Sequence, residues 1–250
     1  MIDTHCHLFS EYYNNIDEVI EKIKKSDVKA IIVNGCDMKS NLEVLELTKK
    51  YDIVYGAIGF HPTELETIKE EDFIWLKNHI NDEKIVAIGE IGLDYHYDDT
   101  DKNLQQYYFK KQLEIAKRYN KSVIVHSRDA IQDTYNILKS SETKGSLHCY
   151  SGSVEMAREF IKIGFCLGIG GIVTFKNAKN IIDVINNIDD EYLLLETDSP
   201  YLTPEPYRKY KNDSSYLKII LEKLCALKLS NYENLKKVTT NNAMRLFDIK

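Results

Sequence analysis

Short apolar runs alternate with longer amphipathic segments along the chain. In 16–25 the apolar residues Ile16, Val19, Ile20 and Ile23 recur at spacings of three and four, and 105–119 repeats this pattern, so both segments are predicted to be helices. The short runs are rich in β-branched residues and predict eight strands. These strands span 2–4, 30–33, 53–59, 85–89, 122–125, 146–147, 165–168 and 193–195.

Strands that alternate with helices form βα units, and successive βα units build a parallel sheet. The runs at 31–33 and 193–195 are apolar at every position, which suits strands buried on both faces. An open doubly wound sheet also fits this alternation. The count of eight units, and the lack of a glycine-rich phosphate loop after the first strand, favour a (β/α)8 TIM barrel. We expect residues 1–250 to form one such domain.

Composition and charge narrow the class of protein. The chain has 250 residues, 43% hydrophobic and 29% charged, with a net charge of −6, which is ordinary for a folded globular protein. The N-terminus lacks a signal-peptide pattern, and no apolar run is long enough to span a membrane. The cysteines are odd in number and never take a C-x-x-C spacing, so we expect reduced thiols in a cytoplasmic protein. They are Cys6, Cys36, Cys149, Cys166 and Cys225.

Polar residues with ligand chemistry concentrate where the predicted strands end. Five of the seven histidines lie at such points, and only His79 and His96 do not. In a parallel barrel the carboxyl ends of all strands meet at one face, where active sites form. The residues at these ends are Asp3, His5 and His7 after the first strand, His61 after the third, Glu90 after the fourth, His126 after the fifth, His148 after the sixth and Asp198 after the eighth.

The spacing of these residues suits a metal centre. His5 and His7 are two apart in a strand and share one face, whereas Cys6 points away, and by the same alternation Cys149 turns away from His148. Glu90 can bridge two cations through its two oxygens. Imidazole and carboxylate ligands favour Zn²⁺, Mn²⁺, Ni²⁺, Fe²⁺ or Co²⁺ over an all-oxygen magnesium cage. Singly, each histidine also fits a hydrogen-bonded core residue, and Asp198 fits a turn or helix cap.

The same residues lie in seven ordered motifs that resemble the TatD family of metal-dependent deoxyribonucleases, in the amidohydrolase-like barrel superfamily. The resemblance covers nearly the whole chain. Six of these motifs bear candidate site residues, and they are I-D-T-H-C-H-L (2–8), G-F-H-P-T (59–63), G-E-I-G-L-D-Y (89–95), V-H-S-R-D-A (125–130), H-C-Y-S-G (148–152) and L-L-L-E-T-D-S-P-Y-L (193–202). The seventh is Q-Y-Y-F-K-K-Q-L (106–113), and the chain closes with N-A-M-R-L-F (242–247).

The resemblance implies two divalent metal ions per subunit, with Zn²⁺, Mn²⁺, Mg²⁺, Ni²⁺ or Co²⁺ as candidates. It implies that His5, His7, Glu90 and Asp198 hold one ion and that Glu90 bridges to a second ion held by His126 and His148. It further implies that His61 and Arg128 bind substrate beside the metals, and that Arg208, on the loop after the eighth strand, pairs with a substrate phosphate. Asp94 and Tyr95 occupy motif positions to which we assign no role.

The chain departs from the family pattern at a few positions. Phe9 follows H-C-H-L where the family commonly has Asp or Asn, Ser122 replaces a usual proline, and Lys209 replaces the glycine after the loop arginine. None of these positions is a proposed ligand. The chemistry is therefore unaffected, but the last change bears on how a substrate enters.

The predicted activity is two-metal hydrolysis of phosphodiester bonds in DNA, with Asp198 as the catalytic general base. Two divalent ions can clamp a displacement at phosphorus and lower the pKa of a water. The positive charge of the two ions attracts a phosphate group although the protein has a net charge of −6. Tyr207 to Lys211 mixes cations with aromatic residues, as in single-strand binders, yet provides only a short basic rim. Such a rim favours a 3′–5′ exonuclease that acts on single-stranded DNA or frayed ends.

Two other functions are consistent with the same residues. Enzymes with the same barrel hydrolyse esters, amides, lactones, phosphotriesters or D-aminoacyl-tRNA, and ligand spacing cannot separate these substrates. A noncatalytic metal-binding or interaction protein is the third reading. An intact Asp198 beside a complete ligand set argues against it.

Overall fold

Eight parallel strands form one sheet in the order β1 to β8, as predicted. The structure is a computed structural model that describes residues 1–97, 99 and 101–250. Each strand pairs with the next along the chain. The strands are β1 (Ile2–Cys6), β2 (Ala30–Asn34), β3 (Val54–Ile58), β4 (Ile85–Asp94), β5 (Ser122–Arg128), β6 (Gly145–Leu147), β7 (Phe165–Ile169) and β8 (Leu193–Leu195).

Helices follow every strand and surround the sheet, so the fold is a (β/α)8 TIM barrel. Two helices follow β8, one more than the repeat requires. The helices are α1 (Ile16–Lys24), α2 (Met38–Lys50), α3 (Glu70–His79), α4 (Lys102–Tyr119), α5 (Ile131–Ser141), α6 (Val154–Lys162), α7 (Lys179–Asn187), α8 (Leu217–Lys228) and α9 (Tyr232–Phe247). None of the helices in the described part of the chain is long and apolar enough to cross a membrane.

The barrel closes between β8 and β1 through backbone hydrogen bonds. The N–H of Asp198 donates to the carbonyl of His5 at 2.9 Å, and the N–H of His7 donates to the carbonyl of Ser199 at 2.7 Å. Because these bonds join the backbones of ligand candidates, closing the barrel also places Asp198 beside His5 and His7.

The strands bury both faces, which explains their uninterrupted apolar runs. On β2, Ile31 and Val33 belong to the large cluster between sheet and helices. Ala30 and Ile32, the alternate positions, belong to a second cluster that includes Phe247 near the C-terminus. The interior of the barrel is therefore a packed core, and polar side chains gather beyond it at the carboxyl ends of the strands.

Strands β4 and β5 extend furthest beyond the ends that the sequence predicts. Strand β4 continues to Asp94 and β5 to Arg128 because their pairing resumes after a register shift, with Gly92 opposite His126. A Cβ on Gly92 would lie 2.0 Å from the carbonyl oxygen of His126, so only glycine allows this approach. Glu90 and His126 consequently lie within strands, not in the loops after them.

Candidate metal centre

Glu90 lies at the middle of the polar cluster and is 3% exposed. Its Oε2 is 3.4 Å from His5 Nε2 and 3.6 Å from His7 Nε2. Its Oε1 is 2.9 Å from His126 Nδ1 and 3.6 Å from His148 Nε2. The two oxygens of one carboxylate therefore face two different groups of histidines.

Asp198 and His61 complete the two groups. Asp198 Oδ1 is 3.7 Å from His5 Nε2 and 3.6 Å from His7 Nε2. His61 Nε2 is 3.6 Å from Glu90 Oε1, and its ring lies 4.5 Å from that of His126. Among the residues that the structure describes, three sets of three have ligand atoms within 4.8 Å of one another. They are His5, His7 and Glu90; His5, His148 and Asp198; and His61, Glu90 and His126.

The donors in this cluster fit divalent cations better than they fit one another. The Nε2 atoms of His5 and His7 are 3.1 Å apart, although the other nitrogen of His7 already contacts the carbonyl of Asn34. Buried His5 Nδ1 has no hydrogen-bond partner within the described part of the chain. Ring nitrogens and carboxylate oxygens that converge this closely, largely out of water, form a ligand set that could hold a divalent metal ion.

Outer partners orient three of the histidines. His7 Nδ1 lies 3.0 Å from the carbonyl oxygen of Asn34, His126 Nε2 lies 3.1 Å from Asp94 Oδ2, and His148 Nδ1 lies 3.2 Å from Glu196 Oε1. In each case the remaining ring nitrogen faces Glu90. This arrangement, in which a carboxylate or carbonyl holds the far nitrogen, is typical of metal-binding histidines.

Glu196 is a residue that the sequence reasoning missed. It is 1% exposed and also accepts a hydrogen bond from the N–H of Cys149 at 2.5 Å. Its position after an apolar strand, two residues before Asp198, was the available signal.

Asp94, which had no assigned role, holds His126, and Tyr95 instead bonds to Asp133 and Gln106.

The cysteines behave in two ways. Cys6 points away from the cluster and donates to the carbonyl of Ile32. Cys36, which the sequence reasoning did not single out, has its Sγ 3.9 Å from both His7 Nδ1 and Glu90 Oε2. It lies on the loop after β2, a segment that none of the family motifs covers.

Charge within the cluster keeps the carboxylates ionised. Burial alone would raise the pKa of Glu90, but the surrounding histidines, His148 among them, and the hydrogen bond with His126 hold it well below its usual range. Burial lowers the pKa of His61 to about 3, so this ring is neutral at physiological pH. Ionised carboxylates are the protonation state that binds metals. Burial lowers the pKa of His148, but the carboxylates of Glu196, Asp198 and Glu90 raise it to about 9, so this ring must lose a proton when a cation binds.

The cluster lies at the floor of an open cavity of about 550 Å³, within the range of roughly 300–1,000 Å³ for small-molecule sites. Seven carboxylates line this cavity, but Lys39 and Arg128 are the only lysine or arginine residues among its described lining. Lys39 is already paired with Glu11 at 2.9 Å. The cavity wall is therefore acidic outside the metal centre.

The predicted arginines differ in position. Arg128 lines the cavity, with its guanidinium 5.8 Å from the ring of Tyr97. Arg208 is exposed, lies 4.1 Å over the ring of Phe175 and donates to the carbonyl of Thr203 at 3.0 Å. The structure does not include Arg208 in the wall of this cavity, and its substrate-binding role stays a prediction.

A closed barrel with buried histidines and carboxylates at the carboxyl ends of its strands defines the class of metal-dependent hydrolases. The family model described as TatD related DNase matches residues 2–248. The chain therefore belongs to the TatD family, as its motifs indicated. It is a metal-dependent hydrolase of that family.

Similar proteins agree with this placement. The protein named "Uncharacterized metal-dependent hydrolase YabD" from Bacillus subtilis is 44% identical over 253 residues, which cover 100% of this chain and 99% of that protein. YcfH of Escherichia coli, also named a metal-dependent hydrolase, is 36% identical and is covered to 96%. The crystal structure of the TatD homologue YjjV from Escherichia coli superposes with a TM-score of 0.95 at 32% identity, covering 100% of this chain and 98% of that one.

We predict that Glu196→Gln weakens metal binding about 10- to 100-fold, the usual cost of losing an outer partner of a ligand. The amide oxygen of glutamine can still accept the His148 Nδ1–H, but the negative charge that strengthens this bond and raises the basicity of the ring is lost, so the ring is held less firmly. Calorimetric titration of metal-free protein with Mn²⁺ measures the affinity. Glu222→Gln, on the exposed side of α8, is the matched control and should bind like wild type. Equal affinity in a folded Glu196→Gln would contradict an orienting role.

Proposed function

We propose that this protein is a two-metal 3′–5′ exodeoxyribonuclease that acts on single strands and frayed ends. The observation that carries the proposal is the position of Glu90, whose two oxygens face two groups of histidines. One ion would be held by His5, His7, Glu90 and Asp198. The other would be held by Glu90, His126 and His148, with His61 beside it.

The residues around the metal centre have different roles in hydrolysis. When bound, the cations supply Lewis acidity for the phosphoryl oxygens and lower the pKa of an attacking water. Asp198 accepts the proton of that water, since its carboxylate is 13% exposed and reaches the cavity. Arg128 donates to a non-bridging phosphate oxygen from the cavity wall. His61, in its neutral form, donates or accepts one hydrogen bond beside Glu90.

The acidic wall favours a strand end over the middle of a duplex. A long footprint requires many cations along the phosphate backbone. Here the carboxylates of Glu11, Asp37, Glu43 and Glu64 outnumber Lys39 and Arg128. One phosphate is attracted to the metal centre, but the neighbouring phosphates of the strand gain little binding free energy from the cavity wall. We also expect a cytoplasmic location, because all five cysteines are free thiols.

The same acidic wall supports a second candidate activity. A small ester, amide or lactone, or a D-aminoacyl group on tRNA, carries little negative charge at the bond that is cleaved. Such a group enters an acidic cavity without electrostatic cost. A panel of these substrates, tested beside labelled oligonucleotides on one metal-loaded preparation, separates the two activities by their ratio of kcat/KM.

We predict that a 5′-labelled single strand is shortened progressively from its 3′ end in Mg²⁺ or Mn²⁺. A blunt duplex should be degraded more slowly because its end must fray before one strand reaches the recessed centre. Gel electrophoresis of timed samples reveals the product ladder. Abundant cleavage of a closed single-stranded circle would contradict the exonuclease and leave the phosphodiesterase activity intact.

We predict that Asp198→Asn lowers kcat by about 10²- to 10⁴-fold, the usual worth of a general base. Asparagine keeps the shape and one oxygen ligand but loses the basicity. Metal content, measured on the same sample, should fall much less than kcat. Arg128→Ala is the contrast, because the loss of a phosphate contact raises mainly KM. Near-normal turnover by metal-replete Asp198→Asn would exclude Asp198 as the base.

A further inference from the structure

A half-exposed tyrosine stands directly beside the metal centre. Tyr201 is 50% exposed and lines the same cavity as His7, Glu90 and Asp198. The centroid of its ring lies 6.2 Å from that of His7. Neither the hydrolytic chemistry nor the packing of the core accounts for an aromatic ring left open to solvent at this point.

The backbone fixes this ring relative to the proposed base. The N–H of Tyr201 donates to the carbonyl of Asp198 at 2.9 Å, which closes a turn through Ser199 and Pro200. On the other side, the buried Asn212 amide donates to the carbonyl of Tyr201 at 2.6 Å. The position of Tyr201 is therefore coupled to that of Asp198.

A second tyrosine holds the side chain itself. The hydroxyl of Tyr201 donates to the hydroxyl of Tyr12 at 3.0 Å, and the two rings lie 5.8 Å apart at 69°. Phe9, the residue that departs from the family pattern, packs behind Tyr12 at 6.4 Å between ring centroids. A ring anchored at its polar end loses little conformational entropy when a planar ligand stacks on it.

We propose that Tyr201, supported by Tyr12, is the stacking platform for the nucleobase of the 3′-terminal nucleotide whose phosphate meets the metal centre. This inference rests on the proposed exonuclease function and names how the substrate is held. A base lies one sugar away from its own phosphate, and the cavity of about 550 Å³ has room for one nucleotide. Because every base has a π-face, the platform accepts any of the four bases.

The acidic wall makes such a platform necessary. With Lys39 paired to Glu11, few cations remain to hold the phosphates that precede the scissile one. Stacking supplies binding free energy that does not depend on charge. It also explains how a protein with a net charge of −6 can retain the end of a polyanion.

The test combines a change in the protein with a change in the substrate. Wild type, Tyr201→Ala and Tyr201→Phe are assayed on a single strand ending in a normal nucleotide and on one whose 3′-terminal nucleotide is abasic. Tyr107→Ala is the matched control, since Tyr107 is 56% exposed on α4, outside the described lining of the cavity. Metal content is measured for every variant.

On the normal strand, Tyr201→Ala should raise KM roughly 5- to 100-fold, the usual effect of one stacked base. Tyr201→Phe keeps the ring but loses its hydrogen bond to Tyr12, so it should raise KM much less than Tyr201→Ala, and Tyr107→Ala should resemble wild type. The strand with the abasic end should raise the KM of wild type by a similar factor. It should not raise the KM of Tyr201→Ala beyond its value on the normal strand. If Tyr201→Ala loses the same factor on both strands, the ring acts on Asp198 or on folding, and the platform is wrong. An unchanged KM on the normal strand also overturns it.

A binding measurement separates this inference from the proposed function. Calorimetry compares deoxyadenosine 5′-monophosphate with 2-deoxyribose 5-phosphate on metal-loaded protein. Tighter binding of the nucleotide in wild type, lost in Tyr201→Ala, supports the platform even if no DNA is hydrolysed. Equal binding of the two ligands to wild type overturns the platform even if the exonuclease activity is real.

Discussion

The architecture depends on the burial of one charged carboxylate. Glu90 is almost fully out of water, and an unpaired carboxylate there would be expensive. Histidines on β1, on β5 and on the loops after other strands compensate for the burial of this negative charge. The barrel must therefore bring these elements together around Glu90. The closing hydrogen bonds between β8 and β1, and the outer partners of the imidazoles, serve that convergence. Bound cations would complete the neutralisation.

Much of this arrangement can be read from the sequence because it follows from chain-local rules. Strands that alternate with helices predict the barrel, and residues at strand ends predict the members of the cluster. The extension of β4 and β5 could not be predicted, because it depends on a register shift and on the close approach of Gly92 to another strand. Glu196 and Cys36 were missed for a similar reason, since their neighbours come from distant parts of the chain.

The family and the fold establish metal-dependent hydrolysis, whereas the substrate depends on the walls of the cavity. Those walls combine carboxylates, which disfavour a long polyanion, with an anchored aromatic ring, which favours a planar group. Phe9 and Tyr12 lie behind that ring, at a position where the sequence departs from its family. We therefore expect the residues around this ring, more than the metal ligands, to select the substrate.

The central claim is that Glu90 joins two cation sites. Its most direct test is an anomalous difference map from crystals of the metal-free protein soaked in Mn²⁺, recorded at the manganese edge. The account predicts two peaks per chain, one between Glu90 Oε2 and the pair His5 and His7, the other between Glu90 Oε1 and the pair His126 and His148. A single peak at saturating Mn²⁺, or peaks that do not contact Glu90, would contradict it.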